Sequence, residues 1–244
     1  DDEYGIEADK EDGLRLFPKM SRAGIKVRDD GRTGLMHNKF WIFDEETVWT
    51  GSTNITVNGA FRNNNNVLVL HSTNVADIYE TEFTEMWRKA YGPTSATSRR
   101  LQQTQIERTP VQIYFAPEDK VIKRLITLFE GAESSIYFMA FSFTHQDLGA
   151  AVLAQAKAGV DVSGIFETRG SETQYSELTA LHCAGVPVRQ DGNPGTFHHK
   201  VIVIDDETVI TGSLNFSNTS PLCRGMRLST SVNTHRKLPS GSIT

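Results

Sequence analysis

The chain has 244 residues, a net charge of −5 and an apolar fraction of 38%, enough to bury a core as one large or two small domains. No run of about eighteen apolar residues occurs, which excludes a membrane-spanning helix in this sequence. The acidic balance argues against broad, non-specific nucleic-acid binding, although a locally basic cleft is compatible with it.

In chain order, the first informative segment surrounds His37. On a strand, residues i and i+2 face the same way, so His37 and Lys39 share one side and Asn38 takes the other. Phe40–Phe43 (FWIF) anchors that strand, and Asp44-Glu45-Glu46-Thr47 forms a polar hairpin turn. The chain then returns to Gly51-Ser52-Thr53-Asn54, where glycine permits close approach and Ser or Asn can cap a helix or donate to an oxyanion. Arg62 to Leu70 (RNNNNVLVL) reads as a further strand. Asn74 is the expected N-cap of a helix whose stripe is Val75, Ile78, Tyr79, Phe83, Met86, Trp87 and Ala90. Gly92-Pro93 stops it, and residues 92–109, without an apolar period, read as a linker.

The second half alternates strands and helices. Strands are expected at Val111–Phe115, Ser135–Phe143 and Val160–Phe166, and helices at Val121–Phe129, Gln146–Ala158 and Tyr175–Ala184. That alternation predicts an α/β architecture with a mainly parallel sheet flanked by helices. Cys183 and Cys223 are the only cysteines and lack metal-ligand spacing; Cys183, in LTALHCAGV, is expected to pack as a small hydrophobe. Trp87 and the Phe-rich runs are expected in the core. His71, His145, His182 and His235 are expected at the surface or in packing.

One signature is written twice. His37, Lys39, Asp44, Gly51, Ser52 and Asn54 recur at identical spacing as His198, Lys200, Asp205, Gly212, Ser213 and Asn215, and the text between matches as well. Six fixed residue types met twice imply an internal repeat. Each unit offers an imidazole, an ammonium, an amide and a hydroxyl, and two units facing each other would surround one pocket. That set suits a phosphodiester, with cations and amides on the non-bridging oxygens and two histidines for attack and proton transfer. The inventory requires neither metal nor cofactor. Glu167 and Arg169, just past a strand end, are secondary candidates for lining a cleft.

The pattern His-x-Lys-x4-Asp-x6-Gly-Ser-x-Asn resembles the signature of the phospholipase D superfamily, and the likeness extends over roughly residues 10 to 219. The resemblance implies two pseudo-symmetric repeats and a metal-independent, two-step reaction through a phosphohistidine. By that resemblance His37 is the nucleophile and His198 the acid. Lys39, Lys200, Asn54 and Asn215 would hold phosphate, together with Ser52 and Ser213. Asp44 and Asp205, grouped with the catalytic motif residues, would brace the site more than touch substrate. Asn65 would occupy the histidine-orienting place that follows each motif in the family, and the second repeat has no counterpart.

Aligned on the motifs, Asp1 falls opposite Val162, so the first repeat is expected to be truncated. The expected division is a truncated repeat at 1–91, the linker at 92–109, a second repeat at 110–220 and an atypical tail at 221–244. That tail has no Asp or Glu, and reads as disordered or as translated in a wrong frame. The expected substrate is a phospholipid first and nucleic acid second, the outcome hydrolysis or transfer to an alcohol. An inactive fragment is a third reading. A chain that begins with Asp1 leaves the compartment open, and oligomeric state is open too.

Overall fold

The computed structural model describes residues 16–31, 36–92, 95, 103–217 and 229–235. Within them the sequence builds two sheets. The first is an antiparallel meander of β1 (Phe40–Phe43), β2 (Thr47–Gly51) and β3 (Val67–His71). A short helix α1 (Leu16–Arg22) precedes it, α2 (Val57–Phe61) interrupts it, and α3 (Thr73–Trp87) follows.

The second sheet has eight strands. They are β4 (Gln103–Ile106), β5 (Thr109–Ala116), β6 (Ser135–Ala140), β7 (Asp161–Phe166), β8 (Val188–Gln190), β9 (Lys200–Ile204), β10 (Thr208–Gly212) and β11 (Ser229–His235). Their spatial order is β4-β5-β11-β10-β9-β6-β7-β8. Helices α4 (Val121–Glu130), α5 (Gln146–Lys157), α6 (Thr168–Ser171) and α7 (Glu177–Cys183) connect them.

The repeat is visible in the hairpins. β1–β2 and β9–β10 have the same register, Phe43 opposite Thr47 and Ile204 opposite Thr208. Both turns hold their first two residues at positive φ: Asp44 and Glu45, Asp205 and Asp206. Those dihedrals suit the twist of a tight hairpin, and Asp tolerates the left-handed region better than most residues. β3 lies beside β2 as β11 lies beside β10, with His71 opposite Thr47 and His235 opposite Thr208.

Two cores hold these layers. In the larger, Ile202, Ile204 and Ile210 of the second hairpin meet Leu125 and Phe129 of α4 and Leu148 and Val152 of α5, with Phe138, Phe143 and Phe166 in mutual ring contact. Gly164 is required there, because a Cβ would collide with the Phe138 ring. In the second core, Val48, Leu70, Val75, Ala76 and Tyr79 pack against Val111, Ile113 and Phe115 of β5. The Tyr79 and Phe115 rings lie 5.4 Å apart. Helix α3 is therefore sandwiched between the sheets, and burying a side chain such as Tyr79 contributes roughly 1.5–3 kcal/mol to joining the repeats.

Several expectations change. The large sheet is mixed, but only β6–β7 and β7–β8 pair in parallel; the remaining pairings are antiparallel, because the motif hairpin and β11 lie beside β5 and β6. The expected linker contains β4, an edge strand whose alternating exposure needs little apolar sequence. The N-cap of α3 is Ser72, whose hydroxyl accepts from Val75 N, and not Asn74. Arg62–Asn66 is loop, with strand only from Val67.

Cys183 is exposed. Trp87 lies at the edge of its helix, stacked on Phe83 with the Arg28 guanidinium over its ring. In the segment read as an atypical tail, Ser229–His235 forms a strand between β5 and β10. The rest of that tail, Cys223 included, and residues 93–94 and 96–102 of the linker lie outside the described residues.

Candidate active site

The two motifs meet through the asparagine run after the first hairpin. Asn64 N donates to Thr196 O at 2.9 Å and His198 N donates to Asn64 O at 2.8 Å, a parallel bridge between the repeats. Asn66 Nδ2 donates to Thr211 Oγ1 at 2.5 Å, and His199 Nδ1 lies 3.3 Å from Asn66 Oδ1. Gly51 is needed beneath this crossing, since a Cβ would collide with the Asn66 carbonyl oxygen.

Asn65 reaches across the same boundary. Its Oδ1 is 2.9 Å from His198 Nδ1 and accepts from Ser52 Oγ at 3.0 Å. Its Nδ2 donates to Gly59 O at 2.8 Å, which fixes the orientation of the amide. The histidine that Asn65 contacts is thus the one in the opposite repeat. Ser52 is fully buried, and its hydroxyl also accepts from Asn66 N at 3.0 Å. Its proton and one of its two lone pairs are committed to this network, so Ser52 bears on Asn65.

The lysines repeat one arrangement. Lys39 Nζ donates to His37 O and Lys200 Nζ to His198 O, both at 2.8 Å. Both side chains are buried, and Lys200 Nζ also sits 4.6 Å from the Phe141 ring centroid. Burial and the neighbouring Lys39 charge push the Lys200 ammonium well below its usual range. Burial, then Lys200, then Lys39 push His198 down to about 3, against a smaller opposing pull from the Ser52 main chain. His198 is therefore a neutral imidazole at physiological pH, within reach of a cation from each motif.

His37 lines a cavity of about 430 Å³ beside Asn215. Asn215 is buried, and its Oδ1 has no hydrogen-bond partner among the described residues. Pro117, Val121, Ile122, Ile126 and Leu214 form the apolar wall of this cavity, and Lys120, Lys123 and His145 supply polar groups. Sequence spacing gave no signal for these last three residues. Asn54 is half-buried and Ser213 buried.

The aspartates are elsewhere. Asp205 sits at the tip of its hairpin, five strand residues beyond His198–His199, where its carboxylate accepts from Glu133 N, Ser134 N, Ser134 Oγ and Ser135 N at 2.7–3.2 Å. Desolvation opposes ionisation there, but these donors outweigh it and lower the carboxyl pKa. Asp44 is exposed at the equivalent tip and makes no side-chain hydrogen bond among the described residues. Neither aspartate is brought to the histidines. Glu167 caps α6 by accepting from Gly170 N, and Arg169 is exposed.

The family described as "Cardiolipin synthase, PLD-like domain" matches residues 5–87 and 125–224, more than half of the chain and both motifs. The chain belongs to the phospholipase D superfamily. It is 30% identical over 129 residues to "Phospholipase D" of Rickettsia prowazekii (strain Madrid E), covering 53% of this chain and 63% of that protein. It is 36% identical over 99 residues to "Mitochondrial cardiolipin hydrolase" of Xenopus tropicalis, covering 41% of this chain and 47% of that protein. The matched region thus spans less than two thirds of these relatives. Among solved structures, the phosphatidylserine synthase of Haemophilus influenzae Rd KW20 superposes with a TM-score of 0.68 over 96% of this chain and 68% of that one, at 13% identity. That likeness concerns the fold.

Proposed function

We propose that this chain carries a phosphodiesterase site of the phospholipase D type, shared by both repeats and working through a phosphohistidine. The observation that carries this reading is the 2.9 Å contact of Asn65, from the first repeat, with His198 of the second, where Lys39 and Lys200 both act on the same imidazole. Two cations bearing on one imidazole, with His37 lining the cavity beside Asn215 of the other motif, suit in-line displacement at phosphorus. The lysines, with Asn54, Asn215 and Ser213, neutralise the non-bridging oxygens as charge builds in the transition state. One histidine attacks and the other donates a proton to the leaving oxygen, a contribution worth roughly 10²- to 10⁴-fold. Asp205 holds its hairpin in place and acts at a distance from the chemistry.

A phospholipid is the preferred substrate. The apolar wall of the cavity beside His37 would take hydrocarbon, and Lys120 and Lys123 would face an anionic head group. The net charge of −5 fits that choice better than a polynucleotide track. The names of the relatives in Rickettsia and Xenopus, a phospholipase D and a cardiolipin hydrolase, point the same way. Water or an alcohol would complete the second step.

The test compares anionic phospholipid vesicles with single-stranded DNA, in excess chelator, across a salt series. Vesicle cleavage that outlasts added salt supports the lipid reading. Cleavage confined to DNA, falling steeply with salt, would replace it with a nuclease.

A further inference from the structure

Over β6, β7 and β9 the large sheet buries one face. Ile136, Phe138, Val162, Phe166, Ile202 and Ile204 point into the larger core, under α4 and α5. Their neighbours along each strand point the other way. That opposite face carries Tyr137, Met139, Ile165, Val201 and Val203, all half-buried, around a groove of about 340 Å³. A contiguous apolar strip on the open side of a sheet marks an interaction surface.

The internal repeat shows what fits there. The offset that carries His37 to His198 carries Phe40, Ile42 and Val48 to Val201, Val203 and Val209. The register agrees, since Ile42 stands opposite Val48 and Val203 opposite Val209. In the first repeat these three residues lie under α3. Val48 shares a cluster with Val75, Ala76 and Tyr79, Phe40 and Ile42 pack against it, and the Phe40 and Tyr79 rings are 5.0 Å apart. In the second repeat the same three positions are half-buried, and two of them line the groove. Val201 and Val203 are smaller than Phe40 and Ile42, which leaves room for side chains at least as large as those of α3. The rim is of mixed charge, with exposed Arg189 beside Ile165 and, at the other end of β7, Asp161 bonded by the Tyr137 hydroxyl. Apolar contact therefore dominates over charge at this surface.

We propose that this groove binds an amphipathic α-helix of a partner, with an apolar stripe spaced like Val75, Ala76 and Tyr79 of α3. The helix lies on Val201, Val203 and Val209 as α3 lies on Phe40, Ile42 and Val48, a helix-in-groove contact. Its binding buries the open face of the second repeat and stabilises the chain by mass action. The inference is independent of the phosphodiesterase reading, because no motif histidine or lysine lines the groove.

The probe is a fluorescent synthetic peptide of Thr73–Trp87, stapled on its exposed face so that it is helical before it binds. Anisotropy titrations against the whole chain are expected to saturate at one peptide per chain, and saturating peptide should raise the thermal midpoint. Val203→Asp and Met139→Asp should each weaken binding by about tenfold or more, since either places a charge in the apolar contact. Val69→Asp, on the exposed face of the first sheet, should leave the affinity unchanged. No saturable binding to the wild type overturns the proposal. So does binding that Val203→Asp and Met139→Asp leave intact, which would seat the peptide elsewhere. Where a variant fails to fold, a photoreactive peptide reads the same contact on the wild type: a crosslink on β6 or β9 is expected, and one confined to other elements overturns the assignment. Sedimentation adds the last arm, in which a wild-type dimer that Val203→Asp converts to monomer would give the groove to a second copy of the chain and overturn the partner helix.

Discussion

Asn65 Oδ1 and His198 Nδ1 lie 2.9 Å apart across the boundary between the two repeats. Removing Asn65 therefore acts on the chemistry of the opposite half. Asn65→Ala should lower kcat by roughly 10- to 100-fold, and should also lower the thermal midpoint, because buried Ser52 loses its acceptor. Asn65→Asp should behave differently. A carboxylate beside Nδ1 favours the imidazolium, so the acidic limb of the pH–rate profile should move to higher pH. An unchanged limb in Asn65→Asp would show that Asn65 does not control this imidazole.

The depressed His198 pKa has a consequence for stability. The folded-state value is about 3 against an ordinary 6.5. Above pH 6.5 neither state protonates this ring and nothing is lost. Between pH 6.5 and 3 the unfolded chain gains a proton that the folded chain refuses, so stability falls as pH falls. The loss from this one residue is on the order of a few kcal/mol at the acid end. His198→Gln should flatten that part of the stability–pH curve, as read by chemical denaturation at several pH values. Parallel curves for wild type and variant would contradict the burial argument.

The two turn aspartates should separate cleanly. Asp205 accepts four donors from the loop before β6, whereas Asp44 makes no such bond among the described residues. Asp205→Ala should cost about 1–3 kcal/mol, since it leaves three main-chain N–H groups, that of buried Ser135 among them, without their acceptor. Asp44→Ala should cost under about 0.5 kcal/mol. Paired urea titrations measure both, and equal costs would refute the structural asymmetry.

The cavity wall gives a prediction about substrate. Ile126→Asp places a charge where hydrocarbon is proposed to lie, which should raise KM for vesicle substrate by about tenfold or more. For a small nitrophenyl diester the change should be less than about threefold. Similar losses on both substrates would mean that this wall does not contact the lipid.

The reactive set was legible because its physics is local. Period-two placement puts His37 with Lys39 and His198 with Lys200, and the Asp turns follow from left-handed dihedrals that Asp accepts. Beta strand β4 was not legible, because an edge strand with alternating exposure needs no apolar run. Neither was β11, whose Ser/Thr-rich sequence is read against a composition shift but pairs with both β5 and β10 through its backbone. His145, Lys120 and Lys123 reach the cavity from three-dimensional folding alone, since nothing in their spacing marks them. The partner of Asn65 was hidden for the same reason: a polar run reads as loop, and only the crossing of the repeats reveals which imidazole it meets.

The central claim is that two histidines from two repeats form one site, and a double-mutant comparison tests it most directly. Steady-state hydrolysis of a phosphodiester would be measured in excess chelator for wild type, His37→Ala, His198→Ala and the double variant. One shared site predicts that each single change removes nearly all turnover, at least about 10²-fold, and that the double variant is scarcely worse than either. Single variants that each keep about half of the activity, with losses that combine independently in the double, would mean two separate sites and would contradict the account.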